Sequence, residues 1–138
     1  MTKDLWINLP VKNVGKSKKF FTEIGFALNT EHCSNDQMVC FQVGDKKSSV
    51  MLFDENTFQS FTKNALPDTR QSTEILISFD AENRDEIDET ARKVFEAGGT
   101  IFSEPMEIQG WMYGFGFADL DGHRWNMLHM DMSAMPKQ

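Results

Sequence analysis

Cysteine is scarce in this chain, with only Cys33 and Cys40 among 138 residues, too few for the disulfide framework of a small secreted domain. No Cys-x-x-Cys spacing occurs, and the two residues flank an expected hairpin turn at Ser34, Asn35 and Asp36. They read as small half-buried side chains of adjacent strands. Long apolar runs are missing as well. No stretch approaches the roughly 18 consecutive apolar residues of a bilayer span, and the opening MTKDLWINLP lacks the apolar core of a secretion signal. The expectation is a cytoplasmic protein with no membrane partner. Positive charge is in deficit, 14 basic against 21 acidic side chains for a net −7, so the long-range field repels phosphate backbones and nucleic acid is not an expected partner. Lys16, Lys18 and Lys19 form an interrupted run on the outer face of an expected helix. The three histidines show no His-x-His or His-x-Glu spacing. His123 falls in a turn, His129 is one residue out of phase with Asn126 and Leu128, and His32 ends a strand beside polar residues; each reads as an ordinary turn or surface histidine.

What is present is a repeated pattern. Leu5, Ile7, Leu9 and Val11 alternate with Trp6, Asn8 and Pro10, the period of a strand with one face against a helix. Asn13 is placed to cap that helix, Phe20, Phe21 and Ile24 form its apolar stripe, and Gly25 suits its left-handed end. Strand-like runs follow at Phe26 to His32, Met38 to Gly44 and Ser48 to Asp54. The order β, α, β, β, β then recurs. Ile75, Ile77 and Phe79 alternate, Asn83 and Glu86 resemble a capping box, and Ile87, Ala91, Val94 and Phe95 make a helical stripe stopped at Gly98 and Gly99. Three more strands are expected around Thr100 to Ser103, Met112 to Ala118 and Arg124 to Met130, the last two joined by a turn at Asp119, Leu120, Asp121 and Gly122. Phe58, Phe61 and Leu66 predict a short amphipathic helix between the halves, before the break at Pro67 and Asp68.

Two βαβββ units, one running through PVKNVGKSKKFFTEIGF and the other closing on YGFGFADLDGHRWNML, resemble the vicinal oxygen chelate superfamily, which includes glyoxalase I, the bleomycin- and fosfomycin-resistance proteins and the extradiol dioxygenases. The resemblance covers essentially the whole chain. It implies an α+β fold whose two modules, at about residues 1–55 and 72–132 with a linker at about 56–71, form curled mixed sheets around a cleft in a single domain. It also implies metal-ligand places on the first and fourth strands of each module, which fall here at Trp6, Leu52 (within about one residue), Glu74 and Asn126.

Those residues depart from a metal site. An indole offers a cation no lone pair, leucine has no donor atom, and a neutral amide ligates weakly. Glu74 alone cannot replace the roughly three protein ligands that such a site requires, so neither a metal nor any other cofactor is expected. With Asn126 inward, alternation adds Leu128 beside it, Asn8 beside Trp6, and Leu76 and Ser78 beyond Glu74. Phe41, Met51, Phe53, Phe115 and Phe117 come from strands able to line the same chamber. The leading expectation is a homodimer that binds a small apolar or aromatic molecule at Trp6, Asn8, Leu52, Glu74, Leu76, Phe115, Asn126 and Leu128, with Glu74 as candidate general base. One alternative is a metal-dependent lyase or dioxygenase that recruits His32 or His129. Another is a non-catalytic module whose cleft is filled by its own side chains, with Glu74 paired to Arg124.

Overall fold

The computed structural model describes residues 1–29 and 35–136, so His32, Cys33 and Ser34 of the expected hairpin lie outside the described residues. The chain divides into two compact units, Met1–Ser72 and Thr73–Gln138. In the first, β1 (Trp6–Val11), α1 (Val14–Glu23), β2 (Ala27–Leu28), β3 (Met38–Val43), β4 (Ser48–Asp54) and α2 (Glu55–Thr62) follow one another. The second contains β5 (Leu76–Asp80), α3 (Arg84–Glu96), β6 (Thr100–Ile108), β7 (Met112–Ala118) and β8 (Arg124–Met130). Each unit builds one mixed four-stranded sheet, ordered β1-β4-β3-β2 and β5-β8-β7-β6. The expected α+β architecture of two βαβββ modules is what forms. Among the described residues, no helix is long and apolar enough to cross a membrane.

Strand alternation gives each sheet a helix-covered face and an open one. In the first unit Leu9, Val11, Val39, Phe41, Val50 and Leu52 are buried, and Phe21 of α1 meets Phe41 at a ring-centroid distance of 5.8 Å. Asn13 caps α1 as expected, its side chain accepting from the Lys16 N–H at 2.9 Å. The short linker helix also forms. Asp54 caps it by accepting from the Thr57 N–H at 2.8 Å, and Phe61 packs edge-on against Phe53. Leu66 lies past its end at Lys63, which adopts φ 54°.

In the second unit Ile87, Thr90, Ala91 and Val94 of α3 face the sheet. Phe95, expected in that stripe, is 74% exposed, because one residue past Val94 is about 100° around the helix. The strand expected near Thr100 to Ser103 extends to Ile108, with register breaks between Ile101 and Ser103 and between Ser103 and Met106. Pro105 falls in the second break, on an edge strand, where its missing N–H removes no ladder bond.

The β7–β8 turn is organised by one buried carboxylate. Asp119 Oδ1 accepts from the N–H groups of Asp121 and His123 at 2.9 and 3.0 Å, and Oδ2 accepts from the Trp125 indole N–H at 3.0 Å. Burial pushes the Asp119 carboxyl above its ordinary value, against the opposing pull of His123 and of these donors. A folded-state value above the unfolded one means that proton uptake favours the fold, so stability from this group grows as pH falls through the raised value. Asp119→Ala is expected to cost about 3 kcal/mol in urea unfolding at pH 7, since it strands buried donors. The gap from wild type should widen as pH is lowered from neutrality through the raised value; a gap that narrows contradicts the raised carboxyl.

Candidate functional site

The open face of the second sheet is laid out in rows. Leu76, Arg124 and Ala118 form one row across β5, β8 and β7; Ser78, Asn126 and Gly116 form the next; Asp80, Leu128 and Gly114 form the third. Met130 and Met112 pair beyond them. The opposite face of the same strands carries Ile77, Phe79, Trp125, Met127, Phe115 and Phe117, with the Phe117 and Trp125 rings stacked 6.3 Å apart.

A depression of about 110 Å³ lies on this open face, walled by Leu76, Phe102, Ser103, Ile108, Asn126 and Leu128 and floored by Gly114, Phe115 and Gly116. The floor exists because two glycines alternate on one side of β7. A Cβ on Gly116 would lie 2.5 Å from the Phe102 ring, and one on Gly114 would lie 2.5 Å from Leu128 Cδ2 and from the Met127 carbonyl. Ring and leucine can therefore approach the backbone only because side chains are missing there. Phe102 reaches over Gly116 from the first register break of β6, where an extra residue bends the strand.

One wall residue of the depression has a side-chain atom without a partner. Asn126 Oδ1 is buried and makes no hydrogen bond, a condition that costs about 1–3 kcal/mol. Arg124 is not among the walls, but its guanidinium carbon lies over the ring of Phe102, which is, 4.3 Å from the centroid. It does not pair with Glu74.

Of the expected site residues, Leu76, Asn126 and Leu128 come together in the depression. Phe115 reaches it too, but with its ring buried on the helix-covered face, 3% exposed and stacked on Phe117 at 5.5 Å. Glu74 sits at an exposed bend two residues before β5 and is not among the walls; the strand partner of Asn126 is Ser78. Trp6 and Asn8 do share the open face of the first sheet, where Trp6 is 55% exposed. Leu52 does not. It pairs with Leu9 and is fully buried against the helix, while Met51 pairs with Asn8, a one-residue difference that reverses the face. Phe102, Ser103, Ile108, Gly114 and Gly116 also line the depression and are not among the expected residues. The Gly-Phe-Gly alternation in β7 is the signal that could have revealed the floor.

Neither of the two described histidines lines this site. His123 is buried in the β7–β8 turn, and His129 pairs with Tyr113 on the helix-covered side, its Nδ1–H donating to the Ala81 carbonyl at 3.1 Å. His32 lies outside the described residues.

The family model described as the Glyoxalase/Bleomycin resistance protein/Dioxygenase superfamily matches residues 5–127. The chain belongs to this superfamily. A hypothetical protein from S. aureus is similar, with 35% identity, a TM-score of 0.82 and coverage of 94% of each chain. A glyoxalase/bleomycin resistance protein/dioxygenase family enzyme from Burkholderia phytofirmans PsJN has 15% identity and a TM-score of 0.77, covering 93% of this chain and 99% of that one. FosX, a fosfomycin resistance protein from Listeria monocytogenes solved with Mn(II) and sulfate, has 18% identity and a TM-score of 0.69 over 97% and 94% of the two chains. No curated protein matches significantly.

The glyoxalase superfamily includes metal enzymes, yet the donor chemistry at the four matched places does not fit a catalytic metal. Trp6 has no lone pair to give, Leu52 is turned into the core, Glu74 lies ahead of its strand, and Asn126 is a neutral amide. Among the described residues, no three His, Cys, Asp or Glu side chains are grouped so as to hold an ion. What remains is a shallow apolar hollow with one unsatisfied acceptor.

That acceptor yields a stability test. Asn126→Leu, of similar volume, replaces an unpaired buried carbonyl by hydrocarbon. It is expected to leave stability unchanged or raise it by about 1 kcal/mol. A loss beyond about 1 kcal/mol in chemical unfolding would mean that the Asn126 amide is already satisfied.

Proposed function

We propose that this glyoxalase-superfamily protein binds a small apolar or aromatic molecule on the open face of the β5–β8–β7–β6 sheet, without a metal, and that Asn126 Oδ1 accepts a hydrogen bond from it. The observation that carries this reading is the unpartnered buried oxygen of a residue that walls an apolar hollow. A filled structural core has no use for an orphan acceptor, and a ligand N–H or O–H removes its cost. The hollow, about 110 Å³, is below the roughly 300 Å³ of drug-sized pockets. It takes one ring or a short branched chain, with the rest of the molecule lying along the face. Glu74 has no part in this reading, and no reaction is assigned. Trp6 and Met51, with the Asn8 amide beside Met51 on the same face of the first sheet, are a second set of side chains suited to the same class of ligand.

N-phenyl-2-naphthylamine, neutral, aromatic and carrying one N–H, is a suitable fluorescent probe. Wild-type protein is expected to enhance its emission saturably, and equally after exhaustive treatment with EDTA. Asn126→Leu should weaken binding by about two- to tenfold, the worth of one neutral hydrogen bond. Gly116→Ala should weaken it further by driving Phe102 into the hollow. Absence of binding, indifference to both substitutions, or about one tightly held metal ion per chain whose removal abolishes binding would each sink the proposal.

We also propose a homodimer. β1 and β2 of one sheet and β5 and β6 of the other have backbone edges unpaired within their own sheets, and such edges are commonly covered by association. Sedimentation at tens of micromolar, roughly the range of weak specific association, should give twice the chain mass; a monomer there argues against it.

A further inference from the structure

We infer that the ligand of this hollow is an amphipathic anion: a carboxylate or sulfonate held by Arg124, with an N–H or O–H for Asn126 and an apolar body over Leu128 and Ile108. The inference rests on the binding reading above and adds the ligand's charge and its direction along the strand.

The guanidinium carbon of Arg124 lies over the ring of Phe102, a wall of the hollow, 4.3 Å from the ring centroid. A guanidinium carries five N–H donors, and a contact with a ring face does not use them all. Arg124 differs in this from Arg84, which pairs with Glu107 at 2.8 Å, and from Arg92, which pairs with Glu89 and Glu96. In a chain with 21 acidic and 14 basic residues, Arg124 is the cation that lies over a wall of the hollow. The rows then set a direction. Arg124, Asn126 and Leu128 project from the same side of β8, each about 7 Å from the next, so the face passes from cation to neutral acceptor to hydrocarbon. Asp80 stands beside Leu128, at the end away from Arg124. Its charge disfavours the reverse orientation of an anion, and the overall net charge of −7 makes a local cation necessary for any anion to settle here.

The same ring skeleton with and without an anion separates this inference from the binding reading itself. 6-Anilinonaphthalene-2-sulfonate carries its sulfonate and its N–H at opposite ends, and N-phenyl-2-naphthylamine is its neutral counterpart. Wild-type protein should bind the sulfonate about tenfold more tightly, as expected for a charge-assisted hydrogen bond on a part-exposed group, and the preference should shrink as salt is raised. Arg124→Gln should abolish both the preference and its salt dependence while leaving the affinity for the neutral probe within about twofold, which also reports that the variant is folded. Arg124→Lys should retain part of the preference. Equal affinities in wild type, or an undiminished preference in Arg124→Gln, overturns the anion assignment and leaves the neutral-probe result standing. If wild type binds neither probe, both readings fall together.

Discussion

The Asp119 carboxylate is the point on which the second unit turns. Both its oxygens are taken, one by the backbone of the β7–β8 turn and the other by the Trp125 indole. Closing the turn in this way fixes which residue of β8 stands opposite which residue of β7, and it fixes the largest core side chain in the same stroke. Register in an antiparallel pair is a choice between two faces. With Trp125 pinned inward beneath α3, Asn126 must lie on the other side, and Arg124 and Leu128 with it. The composition of the hollow is therefore decided several residues away, at a carboxyl group that is not part of it.

Shape on the open face comes from subtraction. A β-sheet normally presents a layer of side chains at every second position. Here the middle of β7 presents Gly114 and Gly116, and β6 answers with an irregular strand that drops Phe102 onto the bare backbone. The aromatic ring is wall and support together, since it bounds the hollow and carries the Arg124 guanidinium. α3 is tied to this half by polar contacts at the rim of the sheet. Tyr113 donates to Asp88 at 2.7 Å, and Arg84 stacks on the Tyr113 ring while pairing with Glu107. Being exposed, these contacts orient the helix more than they stabilise it.

Much of this was legible in the chain. Alternation of Leu9 with Asn8, the Asn13 and Asn83 caps, and the order of elements are local properties, and local chemistry sets them. The family motif at Asp119 to His123 was visible for the same reason, since a turn is encoded by its own residues. Phase was harder. The family resemblance implies Leu52, within about one residue, as a neighbour of Trp6 in the cleft, and one residue reverses a face. The family resemblance implies a strand position for Glu74, but β5 begins only at Leu76. Phe95 shares the helical spacing of Ile87 and Ala91, yet it stands at the edge of that stripe and is exposed. The bulge that positions Phe102, and with it the role of Arg124, depends on pairing with a distant strand and leaves no local trace.

Because the second sheet keeps its aromatic core on the helix-covered side, the opposite side carries less of the folding energy. Leu76, Ser78, Arg124, Asn126 and Leu128 can then be exchanged with modest consequence for whether the chain folds and a large one for what it holds. Two halves of equal strand order need not share this freedom equally. The matching row of the first sheet is filled by Asn8, Met51 and Cys40, whereas the second has been emptied by glycine. A duplicated scaffold thus separates mutational tolerance from stability by strand parity alone, and selectivity is able to drift on one face while the other stays constant.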